Sequence, residues 1–205
     1  AAASDAATEE AVTRGSTVNS IDDFHTNFGL SAICYTGTWP KDEPTDWSTD
    51  FAHNLKVEKN GASWKLEDGK QLNWLGTGRI RFFAYSPYSA TNESGIIHSA
   101  PGKGGIPTLT YTVPTDVKEQ RDLMTAMEDY PGGQGGAVEL KFKHALTAVT
   151  IKTGSAILEG KITKVSFKGV YGAGTHQIGS DQWTTTGDPK EFSVDPNIHL
   201  EKETP

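Results

Sequence analysis

The stretch Arg79-Ile-Arg-Phe-Phe-Ala-Tyr85, followed by Ser86-Pro87, decides the fold class of this chain. Successive side chains of a strand point to opposite faces, so the neighbouring aromatics Phe82 and Phe83 lie on opposite sides of a sheet. A strand that is apolar on both faces suits a position covered on both sides, and the proline after it ends ladder pairing. The stretch therefore predicts a strand inside a layered β-protein.

Eight further segments before and after this stretch have strand patterns, and turn residues separate them. Alternating apolar and polar residues are typical of half-buried strands. The nine predicted strands are Leu30–Tyr35, Leu55–Glu58, Ala62–Leu66, Arg79–Tyr85, Thr108–Val113, Val138–His144, Thr147–Lys152, Ile162–Phe167 and Glu191–Val194. Asn60-Gly61 predicts a two-residue hairpin turn. Because strands follow strands, they predict antiparallel pairing in a sandwich or barrel.

One segment, Val117–Asp129, has a partly helical composition. It carries four apolar residues between positions 123 and 127 but no continuous apolar stripe, and it predicts a short helix or an ordered loop. The glycine-rich runs 102–105 and 132–136 predict loops. The expected class is all-β, with long loops and at most one or two short helices.

Charge and composition exclude several classes of protein. The 205 residues include 19 Lys plus Arg and 26 Asp plus Glu, which gives a formal net charge of −7. An acidic chain without a basic cluster lacks the Lys and Arg patches that bind phosphates, so no nucleic-acid partner is expected. The sequence has no apolar run long enough for a transmembrane helix. Cys34, the single cysteine, excludes an internal disulfide framework, and its alternating strand predicts a buried position.

The motifs of common enzyme classes are missing from the sequence. It has no G-x-S-x-G elbow, no G-x-G-x-x-G between a strand and a helix, and no P-loop. The six histidines do not pair at a spacing that makes a compact zinc site. His144, near a strand end, is expected to make a structural hydrogen bond at the rim of the core. We therefore expect no enzyme, no cofactor and no metal.

The loop 39–50 combines two tryptophans with several acids. Trp39 and Trp47 are the candidate ligand-stacking aromatics, suited to a sugar ring, and packing in the core is the alternative use of such tryptophans. Clustered carboxylates suit calcium, but their spacing here fits no EF-hand and a solvated acidic loop is expected. These acids are Asp42, Glu43, Asp46 and Asp50.

Residues 1–19 differ from the rest of the chain. The run AAASDAATEEA at their start has no aromatic residue and buries too little apolar surface to offset its ordering, so it predicts a flexible tether or pro-segment. Arg14 and Gly15 form a candidate protease-processing site, because a flexible segment is accessible to proteases. An ordinary tether arginine is the alternative. Residues 20–198 are predicted to form the β-sandwich domain.

Five groups of segments, in this order, resemble the fimbrillin-like proteins of Bacteroidales, which are the subunits and accessory proteins of type V pili. They are Asp23–Gly29, Trp64 with Leu72–Leu75, Arg81–Tyr88, Tyr111–Pro114 with Gln120–Ala126, and Val138–Thr147. The Arg81–Tyr88 group is similar to the family's "FFAYxPY" signature. Each group alone is weak evidence, but five in the family's order are specific.

The resemblance implies an antiparallel Greek-key (transthyretin-like) β-sandwich. It also implies export as a lipoprotein to the cell surface or outer membrane, with a lipid anchor as the only membrane contact. An Arg-specific protease would trim the chain, here after Arg14, and other pilus subunits would join it by strand exchange. Family members usually carry a second sandwich, so residues 199–205 are expected to begin a linker to a second domain.

Two functions from different classes follow. The first is a structural pilus (fimbrial) subunit or a tip or adhesin component, assembled by strand exchange after N-terminal trimming. The alternative is a surface lipoprotein module that binds a glycan or a host ligand without polymerising. The first predicts an open hydrophobic groove or a labile N-terminal strand. The second predicts an exposed tryptophan pair, Trp39 and Trp47.

Overall fold

The computed structural model of the protein describes residues 17–36, 50–99, 106–149 and 159–200. In these ranges the chain forms fourteen strands and two single-turn 3-10 helices, Glu67–Gly69 and Glu93–Gly95, and no α-helix. The strands are β1 (Asn27–Tyr35), β2 (Asp50–Asn60), β3 (Ser63–Leu66), β4 (Arg79–Ser86), β5 (Ile96–His98), β6 (Thr108–Thr112), β7 (Met124–Pro131), β8 (Lys143–His144), β9 (Gly160–Ile162), β10 (Val165–Val170), β11 (Ala173–Gln177), β12 (Trp183–Thr185), β13 (Lys190–Val194) and β14 (Ile198–Leu200). The predicted all-β class is confirmed. No helix within the described ranges has the length and apolar character to cross a membrane.

All strand pairs within the described ranges are antiparallel. The larger sheet has six strands in the order β3-β2-β1-β4-β7-β8, and a second sheet has four in the order β12-β11-β6-β5. Two short ribbons, β10 with β13 and β9 with β14, follow in the C-terminal part. The Greek-key connectivity of a transthyretin-like sandwich stays a prediction.

Strand β4 is the centre of the larger sheet. It pairs with β1 along one edge, from Arg79 opposite Tyr35 to Tyr85 opposite Gly29. Along the other edge it pairs with β7, from Arg79 opposite Pro131 to Ser86 opposite Met124. The strand that the sequence places inside a layered protein is thus hydrogen-bonded on both edges.

The two faces of β4 belong to two different apolar clusters. Phe83 and Tyr85 lie in the inner core, which joins the two sheets and comprises Ile33, Phe83, Tyr85, Ile96, Leu109, Tyr111, Leu123 and Ile178. Phe82 and Ala84 lie in the outer core, on the opposite face, which comprises Phe28, Leu30, Ala32, Ala52, Val57, Ile80, Phe82, Ala84 and Ala126. The prediction that β4 is covered on both sides is confirmed.

The covers of the two cores differ in kind. The second sheet covers the inner core, with Ile96 on β5 and with Leu109 and Tyr111 on β6. The outer core is covered in part by two segments that form no strand ladder, residues 72–75 and 138–142. Their apolar side chains pack against it. Within the described ranges, no complete second layer of strands covers the outer face of the larger sheet.

A close approach in the inner core requires glycine at position 29. A Cβ at this position would overlap the ring of Tyr85, the residue opposite in β4. The Tyr85 hydroxyl donates to Asn54 Oδ1 at 2.7 Å and accepts from the Ser89 N–H at 3.2 Å. Burial raises the pKa of Tyr85 to about 12, so the phenol keeps the proton that it donates.

A buried arginine ties together three strands at one end of the larger sheet. The Arg81 side chain is 2% exposed, and its Nη2 donates to Asp129 Oδ2 at 2.7 Å. Arg79 Nε donates to the other carboxylate oxygen at 3.1 Å, and the Tyr35 hydroxyl also donates to Asp129. Burial and the bond to Asp129 raise the pKa of Tyr35. This cluster links β1, β4 and β7.

The prediction of a helix or loop within Val117–Asp129 is wrong for its second half. Met124 begins strand β7, which pairs with β4 along its whole length and with β8 at its start. Pairing with a buried strand outweighs a weak helical composition, since intrinsic propensities are small compared with tertiary contacts.

The predicted strand Val138–His144 is only partly right. Within the described ranges only Lys143 and His144 pair in a ladder, with β7, although Val138, Leu140 and Phe142 do pack together on the outer core. The next predicted strand, Thr147–Lys152, is wrong for residues 147–149, which form no strand, and its remainder lies outside the described residues.

Other strand predictions differ in detail. The hairpin is confirmed, but Asn60 pairs with Ser63, so Gly61 and Ala62 form the turn. The predicted strand Ile162–Phe167 is two strands, β9 and β10. Cys34 is half-buried rather than fully buried, packs against the outer core, and has a pKa raised by burial. The short strands β5, β11, β12 and β14 were not predicted.

Replacing Phe83 with alanine tests the central position of β4. Phe83 is fully buried between the sheets, so Phe83→Ala should lower the free energy of unfolding by about 3–5 kcal/mol. Phe167→Ala is the matched control, because Phe167 on β10 is 39% exposed. This substitution should lower the free energy of unfolding by about 1 kcal/mol or less. Denaturant unfolding measures both, and equal losses would contradict the layered core.

The free energy of unfolding should depend on pH through His176, which lies in the second sheet. This side chain is buried on β11, its ring stacks on Trp183 with centroids 4.9 Å apart, and burial lowers its pKa. The unfolded chain therefore takes up a proton near pH 6.5, before the folded chain does, and stability falls as the pH drops below that value. His176→Gln should flatten the fall between pH 7 and 5 in urea titrations. An unchanged slope in His176→Gln would refute the assignment.

Candidate functional site

An apolar cavity of about 370 Å³ opens on the outer face of the larger sheet. Its walls come from the chain before β1, from β1, β3 and β7, and from the segment that ends in β8. The apolar lining residues are Val18, Ile21, Phe24, Phe28, Trp64, Met124, Val138, Leu140 and Phe142, and the polar ones are Asn19, Ser20 and His144. We call this cavity the groove.

Four aromatic rings join three distant segments at the groove. Phe24 lies 5.6 Å from Trp64 and 4.8 Å from Phe142, measured between ring centroids. Phe28 lies 5.3 Å from Trp64 and 5.4 Å from Phe142. Tilted and edge-on rings at these separations stabilise contacts beyond simple burial. The groove is therefore built on a fixed aromatic floor.

A side chain, and not a ladder, holds the segment 138–142 beside β7. The Tyr130 hydroxyl donates to the carbonyl of Glu139 at 2.8 Å and accepts from its N–H at 3.0 Å. Among the described residues, no backbone hydrogen bond is made by Val138, Leu140 or Phe142. This part of the groove wall thus presents alternating apolar side chains and a backbone without strand partners in the described chain.

Two residues that line the groove, Val18 and His144, contact Asp122, whose side chain is only 10% exposed. Its Oδ2 accepts from the backbone N–H of Val18 at 2.9 Å and lies 3.0 Å from Nδ1 of His144, which is half exposed. The expectation of a structurally hydrogen-bonded His144 is confirmed. One carboxylate therefore connects the N-terminal segment, the start of β7 and β8.

A second attachment of the N-terminal segment lies at His25. Its Nδ1 is 2.8 Å from Ser86 Oγ, and the serine hydroxyl donates to the Asn27 carbonyl at 3.0 Å. Burial lowers the pKa of His25, although the nearby Asp122 carboxylate raises it and Arg121 lowers it further. Residues 19–23, between the two attachments, are exposed.

The chemistry of the groove suits binding of an extended apolar chain. Its lining includes one titratable side chain, His144, whose Nδ1 already faces Asp122. Within the described ranges, no three His, Cys, Asp or Glu side chains are grouped to hold a metal ion. Alternating apolar pockets beside unpaired backbone are the features that bind an added strand.

The site residues predicted from the sequence all lie outside the described residues. These are the processing pair Arg14 and Gly15, and the stacking pair Trp39 and Trp47. The predicted roles of both pairs stay predictions. The acidic loop lies outside as well, with Asp42, Glu43 and Asp46.

Sequence reasoning did not identify Asp122 and Val18 as site residues. Asp122 stands in the family-like segment Gln120–Ala126, but nothing near it indicates a partner 104 residues earlier in the chain. Val18 falls within the predicted tether, yet it is 6% exposed. The sequence feature that could indicate the groove is the alternation of apolar residues at Val138, Leu140 and Phe142.

Two solved structures are similar to this chain in fold. A fimbrial protein from Bacteroides vulgatus is 18% identical, with a TM-score of 0.57, and the match covers 82% of this chain and 59% of that one. A proposed cell adhesion protein from Bacteroides uniformis is 20% identical, with a TM-score of 0.51, and the match covers 86% and 64%. This chain thus spans about three fifths of the length of both structures.

The sequence profile described as fimbrillin-like matches residues 13–204, a range that includes every residue of the groove. No curated protein matches the chain. The resemblance read from the five groups of segments is confirmed by the profile. The chain belongs to the fimbrillin-like family.

Proposed function

We propose that this protein is a structural subunit or tip component of a cell-surface fimbrium, and that its groove receives an extended strand from another subunit. The carrying observation is the outer face of the larger sheet, where an aromatic floor lies beside a backbone segment without ladder pairing. The family and the fold shared with a fimbrial protein support the fimbrial setting. No catalysis is proposed.

The incoming strand would lie along the segment 138–142. In an extended segment the backbone groups of alternate residues point to opposite sides. Since the backbone groups of Glu139 face Tyr130, those of Val138 and Leu140 would face away from β7 and accept the new strand. Its backbone would supply hydrogen bonds, and its alternate side chains would fill the space above Phe28 and Trp64.

Trimming after Arg14 would remove chain four residues before Val18, which is attached to Asp122 beside the groove. A cut there would leave Gly15 and Ser16 before Thr17. We infer that the cut shortens the chain that competes with the incoming strand.

The remaining parts of the proposal rest on the family. They are export as a lipoprotein, processing by an Arg-specific protease, and a linker at residues 199–205 that leads to a second domain. The first two residues of this predicted linker, His199 and Leu200, pair with β9 in strand β14, so the linker would begin after them. Strand exchange with other subunits gives the chain its partners, and the fimbrium gives its place at the cell surface.

Digestion of the full chain with an Arg-specific protease tests the processing site. Cleavage should occur after Arg14 first, because the other arginines include Arg79 and Arg81 within β4 and Arg121, whose guanidinium donates to the Lys118 carbonyl. Mass spectrometry of early time points should show a product that begins at Gly15. Arg14→Lys should abolish this product, whereas Arg121→Lys should not. An earlier cut at Arg79, Arg81 or Arg121 would contradict the proposal.

A synthetic strand tests the groove itself. The probe is a capped decapeptide of alternating valine and threonine, and its control carries proline at a central position, which removes a ladder donor. At saturating concentration the first peptide should raise the Tm of the Arg14-cleaved chain by about 5 °C or more, and the control should not.

Variants of the protein locate the binding. Leu140→Lys places a charge in the groove wall and should abolish the rise in Tm, because the charge would be desolvated by the peptide. Val149→Lys, at an exposed position outside the groove lining, should keep it. Equal shifts for both variants, or none for the wild type, would refute the groove as the acceptor.

A further inference from the structure

We propose that Asp122 is the latch of the groove: its carboxylate holds the N-terminal segment, residues 17–25, against the groove wall and so sets how readily the groove opens. The inference that a strand of another subunit enters the open groove rests on the proposed function. The latch itself rests on the contacts of Val18, Asp122 and His144.

The N-terminal segment is held unequally at its two ends. At its far end, Phe24 packs against Trp64 and Phe142, and His25 is bonded to Ser86. At its near end, the described polar contact to the body of the domain is the bond from the Val18 N–H to Asp122. Exposed residues lie between these ends, so local opening should begin at Val18, where the fewest contacts break.

The carboxylate stays in place when the segment leaves. Asp122 precedes Leu123, which is fully buried in the inner core and whose carbonyl accepts from the Ala145 N–H at 2.8 Å. His144 holds the same carboxylate from β8. The acceptor therefore belongs to the rigid part of the domain, and only its donor, Val18, belongs to the segment that moves.

A charged acceptor makes this single bond strong enough to control the opening. Hydrogen bonds to a carboxylate are about twice as strong as neutral ones, and Val18 is itself buried, so water competes poorly for the bond. Once Val18 has left, the same oxygen is available to a backbone N–H of an incoming strand. Asp122 thus acts as a positioning residue, first for the resident segment and then for its replacement.

Amide hydrogen exchange on the full chain tests the latch. In Asp122→Ala the amide of Val18, which is buried and bonded to Asp122, should exchange about tenfold faster than in the wild type, while those of Phe83 and Tyr85 in β4 keep their rates. Asp122→Asn should stay within about threefold of the wild type, because its amide oxygen still accepts from Val18.

Asp116→Ala is the matched control. Asp116 lies in the same loop, and its carboxylate accepts from the Lys118 N–H at 2.9 Å, a bond confined to its own turn. This variant should leave the exchange of the Val18 amide unchanged. The latch would be refuted if Asp122→Ala left this rate within about twofold of the wild type, if Asp116→Ala raised it equally, or if the amides of β4 accelerated by the same factor.

Peptide binding separates the latch from the proposed function. If the latch is right, the valine–threonine decapeptide should bind Asp122→Ala with faster association than the wild type. If exchange accelerates but the decapeptide binds neither protein, the proposed function fails and the latch stands. If the decapeptide binds but exchange is unchanged, the latch fails and the proposed function stands.

Discussion

Burial of both faces of β4 is the constraint on which the rest of the structure depends. Phe82 and Phe83 are neighbours in sequence, yet each needs its own apolar cover. The inner face obtains this cover from a second sheet, which fixes the sandwich. The outer face obtains much of it from segments without ladder pairing, held by side-chain contacts such as those of Tyr130 with Glu139. In the part of the chain that the structure describes, the second kind of cover is incomplete, and the groove lies where it is incomplete.

An incomplete cover would suit a protein that joins other subunits, as proposed for this chain. The groove offers an aromatic floor and a wall whose backbone lacks strand partners among the described residues, and these features would be liabilities on a free surface. In the proposed account another subunit supplies the missing strand, and the resident segment beside Val18 protects the site until then. Burial of the outer face of the larger sheet would then stabilise both the single subunit and the assembled fimbrium.

Local patterns in the sequence predicted the parts of this arrangement that depend on period two. The alternation in Arg79–Tyr85 placed the aromatics on two faces, and the alternation from Val138 to Phe142 placed these side chains on one face. Whether a segment pairs depends on its neighbours, so the ladder predicted for Val138–His144 and the helix or loop predicted for Val117–Asp129 were wrong in part. The bond between Val18 and Asp122 joins positions 104 residues apart, and no local pattern encodes it.

The central claim is that an added strand binds along the outer face of the larger sheet. NMR mapping of the Arg14-cleaved chain with the alternating valine–threonine decapeptide tests it most directly. The chemical shift changes should concentrate on the amides of residues 138–144, on the Trp64 indole and on Phe28, with peptide amide protons close to those of Val138 and Leu140. Shifts centred instead on the edge strands β5 or β12 of the second sheet, or on the ribbon of β10 and β13, would contradict it.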